Sequence, residues 1–132
     1  MNADILFFFN DHMDALPLYK RLEGLILEKI PDVKIKVSKT QISFSNKRGF
    51  AFVSFNPCRK SKECPEVWMT VTFGLSYQKD SLRIDVTTEP YPNRWTHHVM
   101  ISNPEEIDEE LMDWIHEAAE YSANKFSLRG NR

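Results

Sequence analysis

Apolar positions along the chain switch between two periods. From Asp14 to Ile30 the residues Leu18, Leu22, Leu25, Ile26 and Ile30, with Tyr19, recur at three- and four-residue spacing, which predicts an amphipathic helix. Asp14 is placed to cap it, Pro17 is tolerable in its first turn, and Pro31 stops it. The period then falls to two. Val33, Ile35 and Val37 alternate with Lys34, Lys36 and Ser38, and Ile42 and Phe44 alternate with Gln41, Ser43 and Ser45. NKRG turns the chain into FAFVSF, with Gly49 helping the reversal. VWMTVTFGLSY reads as a long strand, LRIDVT alternates after a QKDS turn, and HHVMIS is expected as the last strand after an EPYPNRW connection. Helical spacing returns in Ile107, Leu111, Trp114, Ile115, Ala118 and Ala119, preceded by Asn103 as cap, Pro104 at the first helical position and Glu106 as the capping-box partner. Leu6 to Phe9 is expected as a short strand or a hydrophobic segment folded under the first helix.

These elements predict an α+β two-layer sandwich, an antiparallel sheet of five or six strands flanked by an N-terminal and a C-terminal helix. Residues 1–132 are expected to form a single domain, long enough to bury about two-thirds of the unfolded surface. With 42% apolar and 27% charged residues, disorder and a disulfide scaffold are both unnecessary explanations. The opening MNADILFFFND is too short in its apolar run and wrongly flanked for a signal peptide, and no run reaches membrane-spanning length. A soluble, cytoplasmic protein without a membrane partner is therefore expected. Cys58 and Cys64 then read as reduced thiols. Their spacing fits no zinc knuckle, and His12, His97, His98 and His116 are too scattered to suggest a metal site, so neither metal nor cofactor is expected.

The net charge of −2 hides an asymmetry. Eight Lys or Arg and no acid lie between Lys34 and Lys62, and eight acids with no Lys or Arg lie between Glu105 and Glu120. On separate surfaces, the first stretch would attract anions and the second would repel nucleic acid or dock a basic partner.

Within the basic stretch, RGFAFVSF at residues 48–55 satisfies the fixed positions of the RNP1 signature, in which two alternate rings on a sheet stack on RNA bases. LFFFN at residues 6–10 loosely resembles its companion motif. The second half of an RNA-recognition domain does not follow, because NPCRKSKECPEVW is broken by two prolines and leads into strands where a helix is required. Aromatic residues in strands usually pack, so Phe50 and Phe52 are expected more readily under a helix or loop than in solvent.

A second likeness covers more of the chain. PLYKRLEGLILEKIPDVKIKVSKTQISFSNKRGFAFVSF, QKDSLRIDVTTEPYPNRWTHHVMIS and EIDEELMDWIHEAA together resemble a small uncharacterised family, domain of unknown function 5655, from Pro17 to Ala119. The marks are Leu18-Tyr19, SKTQISF, the RGF strand start, Arg94-Trp95 with His97-His98, and Asp108 with Trp114. The resemblance implies an α+β domain and no established activity. The CRKSKEC loop has no match in it.

The expected site lies between two polar clusters. Lys39, Thr40 and Gln41 offer an ammonium, a hydroxyl and an amide; Arg94, Trp95, His97 and His98 offer a planar cation, a stacking ring and two groups titrating near neutrality. Adjacent strand residues point to opposite faces, so at most one of the two histidines joins a given pocket. The expected function is a non-catalytic binding module for an anionic small molecule or a protein partner. The alternative is single-stranded RNA or DNA binding through Lys34, Lys36, Arg48, Phe50 and Phe52; a third is an enzyme with His97 or His98 as base. Catalysis is disfavoured because there is no nucleophile elbow, phosphate-cradling glycine loop or HExxH.

Overall fold

The structure, a computed structural model, describes residues 2–130, with side chains to residue 124. The elements in chain order are α1 (Ala3–Phe8), α2 (Leu16–Lys29), β1 (Lys34–Val37), β2 (Gln41–Ser45), β3 (Gly49–Ser54), β4 (Met69–Leu75), β5 (Val86–Tyr91), β6 (Arg94–Ile101) and α3 (Glu109–Gly130). Among the described residues the strands form one antiparallel sheet in the order β1-β2-β3-β4-β6-β5. The protein is thus α+β, an open sheet with N- and C-terminal helices, as its periodicities predict.

Both long helices pack on the same face of the sheet. The strands contribute Ile42, Phe44, Val53, Val71, Phe73, Val99 and Ile101 to that interface, and the helices contribute Leu18, Tyr19, Leu22, Ile26, Leu111, Ile115 and Ala118, all buried. Tyr19 of α2 stacks on Phe44 with ring centroids 6.2 Å apart, and Trp114 of α3 lies over Phe73 at 5.7 Å. Burial of this apolar face is the main stabilising term. The edge strands carry features that discourage further pairing, lysines on β1 and Pro90 on β5.

The structure departs from expectation at four boundaries. Leu6 to Phe9 is not a strand: α1 ends at Phe8, its start capped by the Asn2 side chain accepting from the Asp4 N–H, and Phe9 is buried against Tyr19 of α2, in keeping with the alternative of a hydrophobic segment folded under that helix. Asp14 does not cap α2. It sits in a single 3-10 turn, Met13–Ala15, and α2 begins at Leu16 with Pro17 in its first turn. LRIDVT is half loop, because Arg83 is drawn to the start of α3, where its guanidinium meets Asp108 at 2.9 Å, Glu110 at 2.8 Å and the Glu106 carbonyl at 2.6 Å. β5 therefore starts at Val86 and β6 as early as Arg94, turning at Asn93, whose φ is +65°. At the C-terminal helix, Asn103 and Pro104 open only a 3-10 turn, in which the Glu106 carboxylate accepts from the Ser102 and Asn103 N–H groups. Asp108 is the cap of α3 itself, accepting from Leu111 N–H at 3.0 Å.

Candidate functional site

The face of the sheet turned away from the helices is polar. One register row crosses it from edge to edge: Lys36, Ser43, Phe52, Thr72, His98 and Val86. At one end this face is covered by the 56–68 loop. Thr70, buried there, donates to the Asn56 carbonyl, and Arg59 binds Asp85, which also accepts from Met100 N–H. At the other end the face stays open as a groove of about 450 Å³ lined by Lys36, Ser43, Ser45, Arg48, Gly49, Phe52, Tyr91 and Arg94.

A bulge decides which rings reach this groove. Phe44 pairs with Ala51 while Ser45 pairs with Gly49, so β3 holds one residue more than β2 at Phe50. In such a bulge both residues opposite one partner turn their side chains to the same side. Phe50 and Ala51 accordingly go together into the core, with Phe50 fully buried. Phe52 alone stays half-buried on the open face. The RNP1 arrangement of two alternate rings on one exposed face is therefore not formed, and Phe50 is a core residue.

The expected ligand residues are dispersed. Lys39 and Thr40, in the turn after β1, line a different recess with Phe8, Asp11, His12, Phe55 and Asn56. Gln41 lies in the register row of Ser54, Thr70 and Met100, and Arg94 is six positions along β6 from Met100 (94 to 100), roughly 20 Å at the rise of a strand. Trp95 and His97 turn to the helix side, paired with Leu75 and Phe73. Lys34 lines a separate cavity with Ile30, Asp32, Asn46 and His116. What the structure brings to one face is part of each expected set: Gln41, Arg94 and His98 from the ligand cluster, with Gln41 donating to Ser43 but distant from Arg94, and Lys36, Arg48 and Phe52 from the nucleic-acid alternative.

The two histidines occupy contrasting settings. His97 is fully buried and stacked on Phe73 at 4.8 Å; its Nε2 accepts the Lys79 N–H at 2.9 Å and its Nδ1 lies 3.4 Å from the Phe73 carbonyl, so the proton sits on Nδ1. Burial pushes its pKa below 6.5, opposed by the Phe73 carbonyl and reinforced by Lys79 and His98. With both nitrogens bound to backbone, His97 holds the 76–80 segment in place. His98, on the open face, has Nδ1 at 2.8 Å from the Thr72 hydroxyl, and burial lowers its pKa as well. Asp85 is engaged by Arg59 and Met100 and is not free to orient a histidine. Cys58 and Cys64 are free thiols; burial, followed by the nearby Asp85, raises the Cys58 pKa and so reduces its nucleophilic form.

Residues outside the expected sets complete the groove: Ser43, Ser45, Gly49 and Tyr91. Asn46 fixes its rim, donating to the Ala119 carbonyl at 2.8 Å and accepting from Ser122 at 2.7 Å, which ties the turn before Arg48 to α3. The sequence signal for these positions was faint: serines on the polar side of a strand, and a glycine that a turn explains equally well.

A family profile described as Domain of unknown function (DUF5655) matches residues 7–122. The chain belongs to this family. No curated protein and no solved structure matches it. The DUF5655 match takes in all six strands, and with them every residue that lines the groove. Among the described residues no helix is long and apolar enough to cross a membrane.

Proposed function

We propose that this DUF5655 protein is a non-catalytic binding module that takes a small anionic ligand in the open-face groove. One observation carries the reading. Lys36, Arg48 and Arg94 converge around Phe52, no carboxylate lines the groove, and none of the three forms an ion pair among the described residues. Three like charges gathered without a counter-ion repel one another, and an anionic ligand relieves that repulsion. Ser43 and Ser45 add hydroxyl donors beside them. The absence of chemistry in this reading rests on His97 being bound to backbone on both nitrogens and on His98 lying beside the groove rather than lining it. In the cytoplasm, the compartment this reading assumes, Cys58 and Cys64 would remain thiols.

Amide chemical-shift mapping with inorganic pyrophosphate tests it. Shifts are expected at Ser43, Ser45, Arg48, Gly49, Phe52 and Arg94, weakening with salt and lost in a Lys36→Gln, Arg48→Gln, Arg94→Gln variant. Shifts spread equally over Lys60 and Lys62, or unchanged by the triple substitution, would refute the reading.

A further inference from the structure

Two of the chain's four glycines shape the floor of the groove. Phe52 leans along β3 until its ring tip reaches over Gly49, where a β-carbon would stand 2.7 Å from Cζ. On β4 a β-carbon at Gly74 would stand 2.4 Å from both Cζ and Nη1 of Arg94 and 2.7 Å from Nη2. Distances so nearly equal put that point above the guanidinium plane and not beyond its edge, so the group lies flat on the sheet. Any side chain at Gly74 would displace it. One face of the planar cation is thus pressed to the backbone and the other is turned to the groove, beside the Phe52 ring.

A guanidinium plane presented face-on stacks well on a planar π-system, which an ammonium or an inorganic anion does not exploit. The charges that remain, on Lys36 and Arg48, suit phosphate oxygens. The geometry points to a nucleotide as the ligand, its base stacked on Arg94 beside Phe52 and its phosphate held by Lys36 and Arg48; this rests on the anion-binding reading above. The groove's roughly 450 Å³ lies within the usual range for small-molecule sites. Because the bulge sends Phe50 into the core, β3 supplies one ring to the floor and not the two alternate rings that would stack successive bases, which suits a single nucleotide.

Calorimetric titration of wild type with AMP, ribose 5-phosphate and inorganic pyrophosphate separates the parts. AMP and ribose 5-phosphate share a charge and a sugar and differ by the base, so AMP is expected to bind about tenfold or more tightly. Gly74→Ala, which lifts the guanidinium while keeping its charge, should remove that preference and leave pyrophosphate affinity within about twofold. Arg94→Lys reads the same loss of the plane should Gly74→Ala fold poorly. Equal affinity for AMP and ribose 5-phosphate, with pyrophosphate still bound in the groove, overturns the nucleotide and spares the anion site; loss of pyrophosphate binding as well overturns both. A hexameric oligoadenylate distinguishes the source. Affinity equal to that of AMP supports a free nucleotide, and affinity that rises with strand length overturns the mononucleotide ligand.

Discussion

The two faces of the sheet are built from the same strands and treat neighbouring residues in opposite ways. His97 and His98 are one peptide apart. His97 is sealed between Phe73 and the 76–80 segment with both ring nitrogens bound to backbone, whereas His98 meets a threonine hydroxyl on a polar surface. Phe50 and Phe52 divide likewise, one in the core and one in the groove. On the helix side the rings pack against one another, and among the described residues no buried side-chain polar atom lacks a partner. On the open side, serines and cations outside any ion pair among the described residues lie beside Phe52 and Tyr91. Burial is what separates a residue that stabilises from one available to a ligand.

The sharpest way to break this contrast is the pair Phe50→Ala and Phe52→Ala. Truncating the fully buried ring is expected to cost about 3–5 kcal/mol in urea unfolding, and truncating the half-buried one about 1 kcal/mol or less. Equal costs would mean that the bulge does not sort the two rings. Acidification probes the histidines. Both have folded pKa values below the unfolded 6.5, so the unfolded chain binds protons more readily; their contribution is fully present above about pH 6.5 and is lost as pH falls through the lowered folded values. A tenfold difference in proton affinity between the folded and unfolded chain corresponds to about 1.4 kcal/mol. Unfolding free energies measured from pH 7.5 to 5 should decline, and the decline should be smaller in His97→Gln.

At the cap of α3, Asp108→Ala is expected to cost about 1 kcal/mol, as for other capping residues, whereas Asn103→Ala, which touches only the preceding 3-10 turn, should cost less. Thermal melts of the two variants check the order. The smallest effect belongs to the groove: Arg48→Ala should change stability by no more than about 0.5 kcal/mol while weakening pyrophosphate binding. A larger loss of stability would mark Arg48 as structural.

Much of the architecture was legible because two physical signals are local. The three- and four-residue spacing from Leu18 to Ile30 and from Ile107 to Ala119, and the alternation in β1, β2 and β4, specify which side of each element is apolar whatever it packs against. Boundaries were less legible where a long-range contact overrides the local pattern. Arg83 follows a strand-like alternation, but its ion pairs with Asp108 and Glu110 pull it out of the strand. The groove was harder still. Arg94 and His98 were singled out as chemistry, but the partners expected for them, Lys39 and Thr40, line a recess at the other end of the sheet.

By itself the sequence determined the α+β class, the two long helices, the alternating strands and the segregation of basic and acidic stretches, since each follows from the period and charge of neighbouring residues. Only the tertiary structure decided which strands adjoin, that one extra residue in β3 separates Phe50 from Phe52, and that Gly74 lies beneath Arg94 twenty positions away in the chain. Those facts depend on register between strands, and register is set by how whole faces pack together.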